Sequence, residues 1–290
     1  MHHLIINEMH MKGKKLRQLN FVRKAFYRAG IKYILHITRH KGHAREIVKE
    51  LTSDGEQNVI VACGGDGTLH EILNGFENFE NNALALIPVG TGNDFAASAN
   101  IPLKTKKAVD IIINGTPEYI DFIQFSSGLR SINAVGMGID VDVLKRAYRG
   151  NNAKKSKYLQ ALVASLAAFK SYNFTAKYNG REEERFGLIA ALGNGRQIGG
   201  GIKLFNGAAI SDGYLNLVIA DYISKFSTIG AFIKLMAGKP EKIRQVTSVK
   251  TRAAEFICHG NYTIQADGEL YENIPFKAHA ESGKLKFYLP

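Results

Sequence analysis

Two short segments of this sequence carry residue types that chemistry needs at a spacing that chemistry can use. The first is Val59-Ile60-Val61-Ala62-Cys63-Gly64-Gly65-Asp66-Gly67-Thr68-Leu69-His70-Glu71, an apolar run that opens into three glycines around one aspartate. Glycines at a strand-to-helix turn let the backbone approach a ligand closely. A helix starting there aims its N–H groups and positive end at an anion. Asp66 then places a carboxylate where phosphates would lie, and a divalent cation or a substrate hydroxyl beside it resolves the conflict. The plainer alternative is a tight turn with Asp66 or Thr68 as helix N-cap. The second segment, Leu86-Ile87-Pro88-Val89-Gly90-Thr91-Gly92-Asn93-Asp94-Phe95-Ala96, repeats the design after the next apolar run. Two polar glycine loops at the ends of successive strands face one crevice, where open α/β sheets bind ligands. The Walker and Rossmann glycine patterns are both missing, which excludes the two commonest nucleotide loops.

The elements that must hold these loops are legible as hydrophobic periodicity. Leu4-Ile5-Ile6, Tyr33–Thr38, Asn58–Cys63 and Leu84–Pro88 read as buried strands. Helical patterns over 14–29, 43–51 and about 68–76 lie between them. Strands joined by helices imply a parallel sheet covered on both faces, and burial on both faces explains why the runs are almost wholly apolar. After about residue 118 the period changes. Strands are expected at 119–125, 131–138, 173–179, 186–192, 214–220, 246–250, 253–258, 262–266 and 284–289, separated by glycine-rich or polar turns as in a sandwich or barrel. Helices are expected at 157–170 and 225–237. No internal repeat or low-complexity tract interrupts the pattern.

The ordered motifs resemble the diacylglycerol kinase catalytic family, above all its soluble bacterial branch of lipid kinases. Gly64-Gly65-Asp66-Gly67-Thr68 and Gly90-Thr91-Gly92-Asn93-Asp94-Phe95-Ala96 match its two loops. Gly193-Asn194-Gly195-Arg196 through Gly201, then Ser211-Asp212-Gly213-Tyr214-Leu215, match its glycine turn and Asp-Gly-x-Leu segment, and Gln265-Ala266-Asp267-Gly268-Glu269 its Asp-Gly-Glu motif. The matches run from about residue 4 to 288. The resemblance implies an N-terminal α/β parallel-sheet domain, a C-terminal β-sandwich domain and an active-site cleft between them. It implies a nucleotide-binding domain over 1–120, joined by the tail 284–290, and a domain over 121–283 bearing the lipid and structural-metal sites.

The same resemblance implies ATP and Mg2+ as cofactors. Thr38, Gly64, Gly65, Asp66, Gly67, Thr68, Leu69, His70, Thr91, Asn93 and Asp94 fall where the family contacts nucleotide or lines its cleft, as does Asp121. Glu269 falls at the family's general base, with Asp66 beside the transferred phosphate. Asp212, with the carbonyls of Ala209 and Tyr214, falls at its structural magnesium site. One stretch departs: the family's Asn-Pro-x-Ser-Gly clasp is here Asn7-Glu8-Met9-His10-Met11-Lys12-Gly13-Lys14-Lys15, with Lys12 and Lys14 offering charge in place of backbone contacts.

Composition narrows the class of protein. The chain has 290 residues, 45% hydrophobic and 22% charged, which is a globular composition and not a disordered or fibrous one. No apolar run approaches the ~18 residues of a membrane helix, and no secretory leader is readable, so a cytoplasmic enzyme is expected. Cys63 and Cys258 are too few for a disulfide framework or a cysteine zinc site, and Cys63 reads as a core strand residue. The nine histidines, six of them within residues 1–43, are read as lacking metal-ligand spacing beside carboxylates.

Charge points to the partners. The net charge is +12 at a sequence pI of about 9.5. Residues 1–50 hold twelve basic residues against three acids, which favours an anionic partner. On the helix over 14–29, Leu16, Leu19, Val22 and Phe26 share one face, while Lys14, Arg17, Lys24 and Arg28 gather opposite with Phe21 among them. That face reads either as solvated charge or as peripheral contact with an anionic membrane surface. No nucleic-acid motif accompanies the charge. The leading function is an ATP-dependent kinase acting on diacylglycerol or a related lipid, peripherally membrane-associated; the resemblance also implies a homodimer. The alternatives are an NAD kinase-like enzyme, disfavoured by Gly90–Asp94, and a non-catalytic binder of anionic lipid.

Overall fold

The computed structural model describes residues 1–7, 13–53, 55–147, 171–221, 242–258 and 260–290, with 160, 161, 164, 165 and 234. Apart from those five residues, which are helical, the helices expected at 157–170 and 225–237 lie outside these, as do residues 8–12 of the clasp. The chain forms two compact units, Met1–Asp121 with Ser282–Pro290, and Phe122–Glu281.

The first unit alternates β1 (His2–Asn7), α1 (Gly13–Arg28), β2 (Tyr33–Thr38), α2 (His43–Ser53), β3 (Val59–Gly64), α3 (Asp66–Gly75), β4 (Ala83–Pro88), α4 (Asp94–Ser98) and α5 (Thr105–Asn114). The strands are parallel in the order β2-β1-β3-β4, and the tail adds Lys286 and Phe287 beside Ala83 and Leu84 of β4. Strand alternation divides the apolar residues between two faces. Leu4, Ile6, Val61, Cys63, Ala85 and Ile87 pack with Leu19, Val22 and Phe26 of α1 and Val109 and Ile112 of α5. Ile5, Ile60, Ala62, Leu84 and Leu86 on the opposite face are just as buried, and α2 and α3 cover them. β2 departs from the expected full burial: among the described strands it pairs only with β1, and Ile34 and Ile37 are exposed.

The chain crosses into the second unit within β5 (Pro117–Phe125) and continues through β6 (Arg130–Ser131), β7 (Ala134–Gly138), α6 (Ile139–Ala147), β8 (Tyr172–Tyr178), β9 (Arg181–Gly193), β10 (Leu215–Asp221), β11 (Val246–Thr251), β12 (Ala253–Cys258), β13 (Thr263–Ala266), β14 (Glu269–Glu272) and β15 (Phe276–Tyr288). Strands β7 to β14 pair antiparallel with one another, as do β5 with β6 and β12 with β15. Inward residues of these strands, among them Phe125, Val135, Phe174, Leu192, Leu217, Phe256, Ile264 and Phe276, form one core.

One local reading changes, and one helix lies where none was assigned. The strand expected over 131–138 is broken between Ser131 and Ala134, because backbone amides there are drawn to a side chain described below. The run Ile139-Asp140-Val141-Asp142-Val143 has a strand's alternation, yet it is helical. Ile139, Val143 and Ala147, four residues apart, bury together against Ile189, Ala191 and Val218.

Candidate functional site

Parallel register brings the working ends of four strands to one edge. Asn7 is level with Thr38 at the ends of β1 and β2, and Gly64 with Pro88 at the ends of β3 and β4. The two glycine loops leave from that edge and touch. The Gly64 carbonyl accepts the N–H of Val89 at 2.9 Å and of Gly90 at 3.2 Å. A Cβ on Gly90 would stand 2.4 Å from the Cα of Gly65, and one on Gly64 would stand 2.4 Å from the Thr68 hydroxyl. Gly65 and Gly90 therefore serve loop-to-loop contact, and Gly64 makes room for the Thr68 side chain.

Asp66 is the first residue of α3 and not its N-cap. The N-cap of α3 is Gly65, without a side-chain bond. Asp66 reaches across to α4, where Oδ2 accepts the Asp94 N–H and Oδ1 the Phe95 N–H, each at 3.2 Å. Amides at a helix start have no intrahelical acceptor, so a carboxylate satisfies both their bonding and the helix dipole. Asn93 precedes them in the left-handed conformation, φ 56°, which asparagine tolerates. Its Nδ2 donates to Gly90 O at 2.9 Å, while its buried Oδ1 has no partner among the described residues. The orphaned oxygen leaves an incompletely satisfied polar atom where the second loop meets the first.

The other residues of the expected nucleotide set divide by burial. Thr38 is buried at the end of β2, and Thr91 is exposed at the tip of its loop. Leu69 and His70 lie in the interior of α3, and the Leu69 N–H is already bonded to Gly65 O. Leu69 thus offers a ligand neither its side chain nor its amide. Asp121 is buried near the end of the unit.

In the second unit Glu269 follows a two-residue hairpin turn. Asp267 and Gly268 both have positive φ, 51° and 89°, as a type I′ turn requires, and Ala266 pairs with Glu269. The turn is anchored by Asp267. Its carboxylate accepts the Ser131 hydroxyl at 2.6 Å and the amides of Ile132, Asn133 and Ala134 at 3.0, 2.9 and 3.2 Å. This explains the break between β6 and β7. Gln265 adds a second tie, its Oε1 accepting the Gly268 N–H at 3.0 Å. On α6 the buried Asp140 accepts the Val141 N–H at 2.9 Å, and burial pushes its carboxyl up to about 7. The motif Gln265–Glu269 hinted at this turn, whereas Ser131 and Asp140 carried no sequence signal.

Asp212 is engaged differently from the expectation. Oδ1 accepts the Tyr214 N–H at 3.0 Å, and Oδ2 faces the Lys250 ammonium at 2.5 Å. Lys250 stands beside the carboxylate that the resemblance assigns, with the carbonyls of Ala209 and Tyr214, to a structural magnesium ion. Asp66 and Asp94 offer a second oxygen pair suited to such an ion. Their Oδ2 atoms lie 2.8 and 3.9 Å from where a Cβ of Gly92 would stand, so two hard oxygen donors border one glycine, as magnesium prefers. Burial pushes the Cys63 thiol up to about 12, in keeping with a core role.

Comparison with known proteins converges on one group. Residues 2–125 match the model of the diacylglycerol kinase catalytic domain, and residues 133–289 that of the YegS C-terminal NAD kinase beta sandwich-like domain. A protein named "Probable lipid kinase YegS-like" from Xanthomonas campestris pv. campestris (strain 8004) is 30% identical over 304 residues, covering 99% of this chain and 95% of that one. A "Diacylglycerol kinase" from Mycobacterium tuberculosis (strain CDC 1551 / Oshkosh) is 29% identical over 254 residues, 85% and 81% of the two chains. Among solved structures, a diacylglycerol kinase from Bacillus anthracis str. Sterne superposes with a TM-score of 0.74 at 19% identity, covering 100% of this chain and 96% of that one. An NAD kinase from Archaeoglobus fulgidus in complex with ATP gives 0.52 at 13% identity, covering 99% and 93%. At these identities the two structures speak for the fold alone.

Proposed function

This chain belongs to the lipid kinase family built on the diacylglycerol kinase catalytic domain, and from that premise we propose that it transfers the γ-phosphate of ATP to a hydroxyl of diacylglycerol or a related membrane lipid. The observation that carries the reading is the pair of loops joined at Gly65 and Gly90, with the Asp66 carboxylate fixed beside the partnerless Asn93 oxygen. Phosphoryl transfer asks the protein chiefly to position its reactants and to stabilise charge. The first-turn amides of α3 supply donors to phosphate oxygens. Asp66 and Asp94 would hold Mg2+, which when bound neutralises phosphate charge. The two amide bonds to α4 keep Asp66 in one orientation.

Glu269 is the general base of this reading. It accepts the proton of the lipid hydroxyl, from a turn that Asp267 and Gln265 hold in place. Purified protein incubated with labelled ATP, magnesium and vesicles of diacylglycerol, with other lipids and NAD as parallel acceptors, tests the proposal. Labelled lipid is expected, and Glu269→Gln is expected to lower kcat by about 10²–10⁴-fold with nucleotide affinity kept. Label on NAD with none on any lipid would overturn it.

A further inference from the structure

Histidine spacing along the sequence gave no metal signal, but the turn between β2 and α2 folds three ligand-bearing residues together. One ring nitrogen each of His40 and His43 and a carboxylate oxygen of Glu46 lie within 4.8 Å of one another. We propose that these residues form a surface site for a single divalent transition-metal ion of the zinc or nickel kind.

The backbone sets the arrangement before any ion arrives. His43 N–H donates to His40 O at 3.3 Å and Glu46 N–H to Gly42 O at 3.1 Å, so the three residues recur at one-turn intervals. Gly42 makes the reversal with φ +87°, a conformation that side chains rarely adopt. Its N–H is tied to Glu71 Oε1 of α3 at 3.0 Å, which fixes the turn to the helix following the first glycine loop. The two imidazoles stack with centroids 4.6 Å apart and planes 11° from parallel.

Hydrogen bonding leaves electron pairs available. His40 Nδ1 lies 3.1 Å from Lys41 O. A carbonyl only accepts, so Nδ1 carries the proton and Nε2 keeps its lone pair, the second-shell device usual for metal-bound histidine. His43 Nδ1 accepts the Arg39 N–H at 3.2 Å, and capture of an ion through that nitrogen exchanges this bond for a coordinate one. Two imidazoles and one carboxylate suit zinc, nickel or copper, whereas magnesium and calcium ask for oxygen alone. The basic neighbours Arg39, Lys41 and Arg45 oppose a cation electrostatically and keep the site weaker than an enclosed one. An ion here would clamp the loop that begins two residues after Thr38, at the ligand-binding edge of the sheet.

The test titrates the full chain with Zn2+ in excess Mg2+ by calorimetry and follows the thermal midpoint with and without Zn2+. One equivalent is expected to bind and to raise the midpoint. Loss of an outer-shell partner alone costs about 10–100-fold in metal affinity, so His40→Ala, His43→Ala and Glu46→Gln are each expected to weaken Zn2+ by at least about tenfold. The exposed Glu46→Gln variant keeps the helix and guards against misfolding as the cause, and His36→Gln is expected to bind like the parent. Zn2+ binding that is absent in the parent, or unchanged in both His40→Ala and Glu46→Gln, would overturn the site.

Discussion

Asp66 and Phe95 are joined across two loops: the carboxylate at the start of α3 accepts the amide in the first turn of α4 at 3.2 Å. A residue whose type suggests chemistry is thus also the cap of a neighbouring helix. Asp66→Ala is therefore expected to affect stability as well as chemistry. Losing the two amide acceptors is expected to cost about 1–2 kcal/mol, together with loss of phosphoryl transfer. Thermal unfolding and a lipid phosphorylation assay check both effects, and an unchanged melting midpoint would remove the capping role.

Gly90→Ala is expected to destabilise the first unit by about 1–3 kcal/mol, the usual cost of overpacking. The added methyl would stand 2.4 Å from Gly65 Cα and 2.9 Å from the Asn93 oxygen, so backbone must move and the loops must part. Denaturant melts and nucleotide affinity are expected to fall together. A variant with normal stability would show that the loops separate at no cost.

Asp212 pairs with Lys250 at the position where the resemblance expects a structural metal. Mg2+ is therefore expected to shift the melting midpoint of the parent and of Asp212→Ala equally. A double-mutant cycle with Lys250→Met is expected to give a coupling of about 1 kcal/mol or less, because the pair is partly solvated. A magnesium response lost only in Asp212→Ala would place the metal there.

Asp140 gives a pH dependence whose sign follows from burial. Its carboxyl titrates at about 7 in the folded chain against 3.8 when unperturbed. Between those values the folded state holds a proton that the unfolded state has released, so this group's contribution to stability falls as pH rises from about 4 to 7, by at most about 1.4 kcal/mol per pH unit. Above 7 the contribution is level. Asp140→Asn is expected to flatten the slope, as read from melts across that range; an unaltered slope would assign it to other groups.

The outer face of α1 is expected to meet an anionic membrane. The helix carries no acid, and Arg17, Lys24 and Arg28 are exposed together with Phe21 at 41% and Tyr27 at 83%. Each basic residue contributes about 1 kcal/mol near an anionic leaflet. Among the described residues no helix is long and apolar enough to cross a membrane, and the contact expected here is with the bilayer surface. Sedimentation with phosphatidylserine-containing vesicles is expected to weaken with salt and with Lys24→Glu and Arg28→Glu. Sedimentation indifferent to those changes would leave the charge as a solvated face.

Local pattern carried much of the architecture. The strands Tyr33–Thr38 and Ala253–Cys258 and the helix over Gly13–Arg28 follow from periodicity, because burial against one core imposes a period of two or of 3.6 on the sequence. Both glycine loops were legible for a related reason, since a strand-to-helix turn that touches another backbone excludes side chains. The helix Ile139–Ala147 was not legible, because its alternation fits a strand equally well and only the packing of Ile139, Val143 and Ala147 decides. What the polar residues bond to was hidden as well. Asp66 capping α4, Asp267 gathering the amides of 132–134, Lys250 meeting Asp212 and His40 stacking on His43 join residues by the path of the chain through space. The sequence determined which groups were present and which elements would carry them. Tertiary structure decided their partners, because a carboxylate takes whichever donors burial brings within hydrogen-bond reach, and sequence separation does not enter that choice.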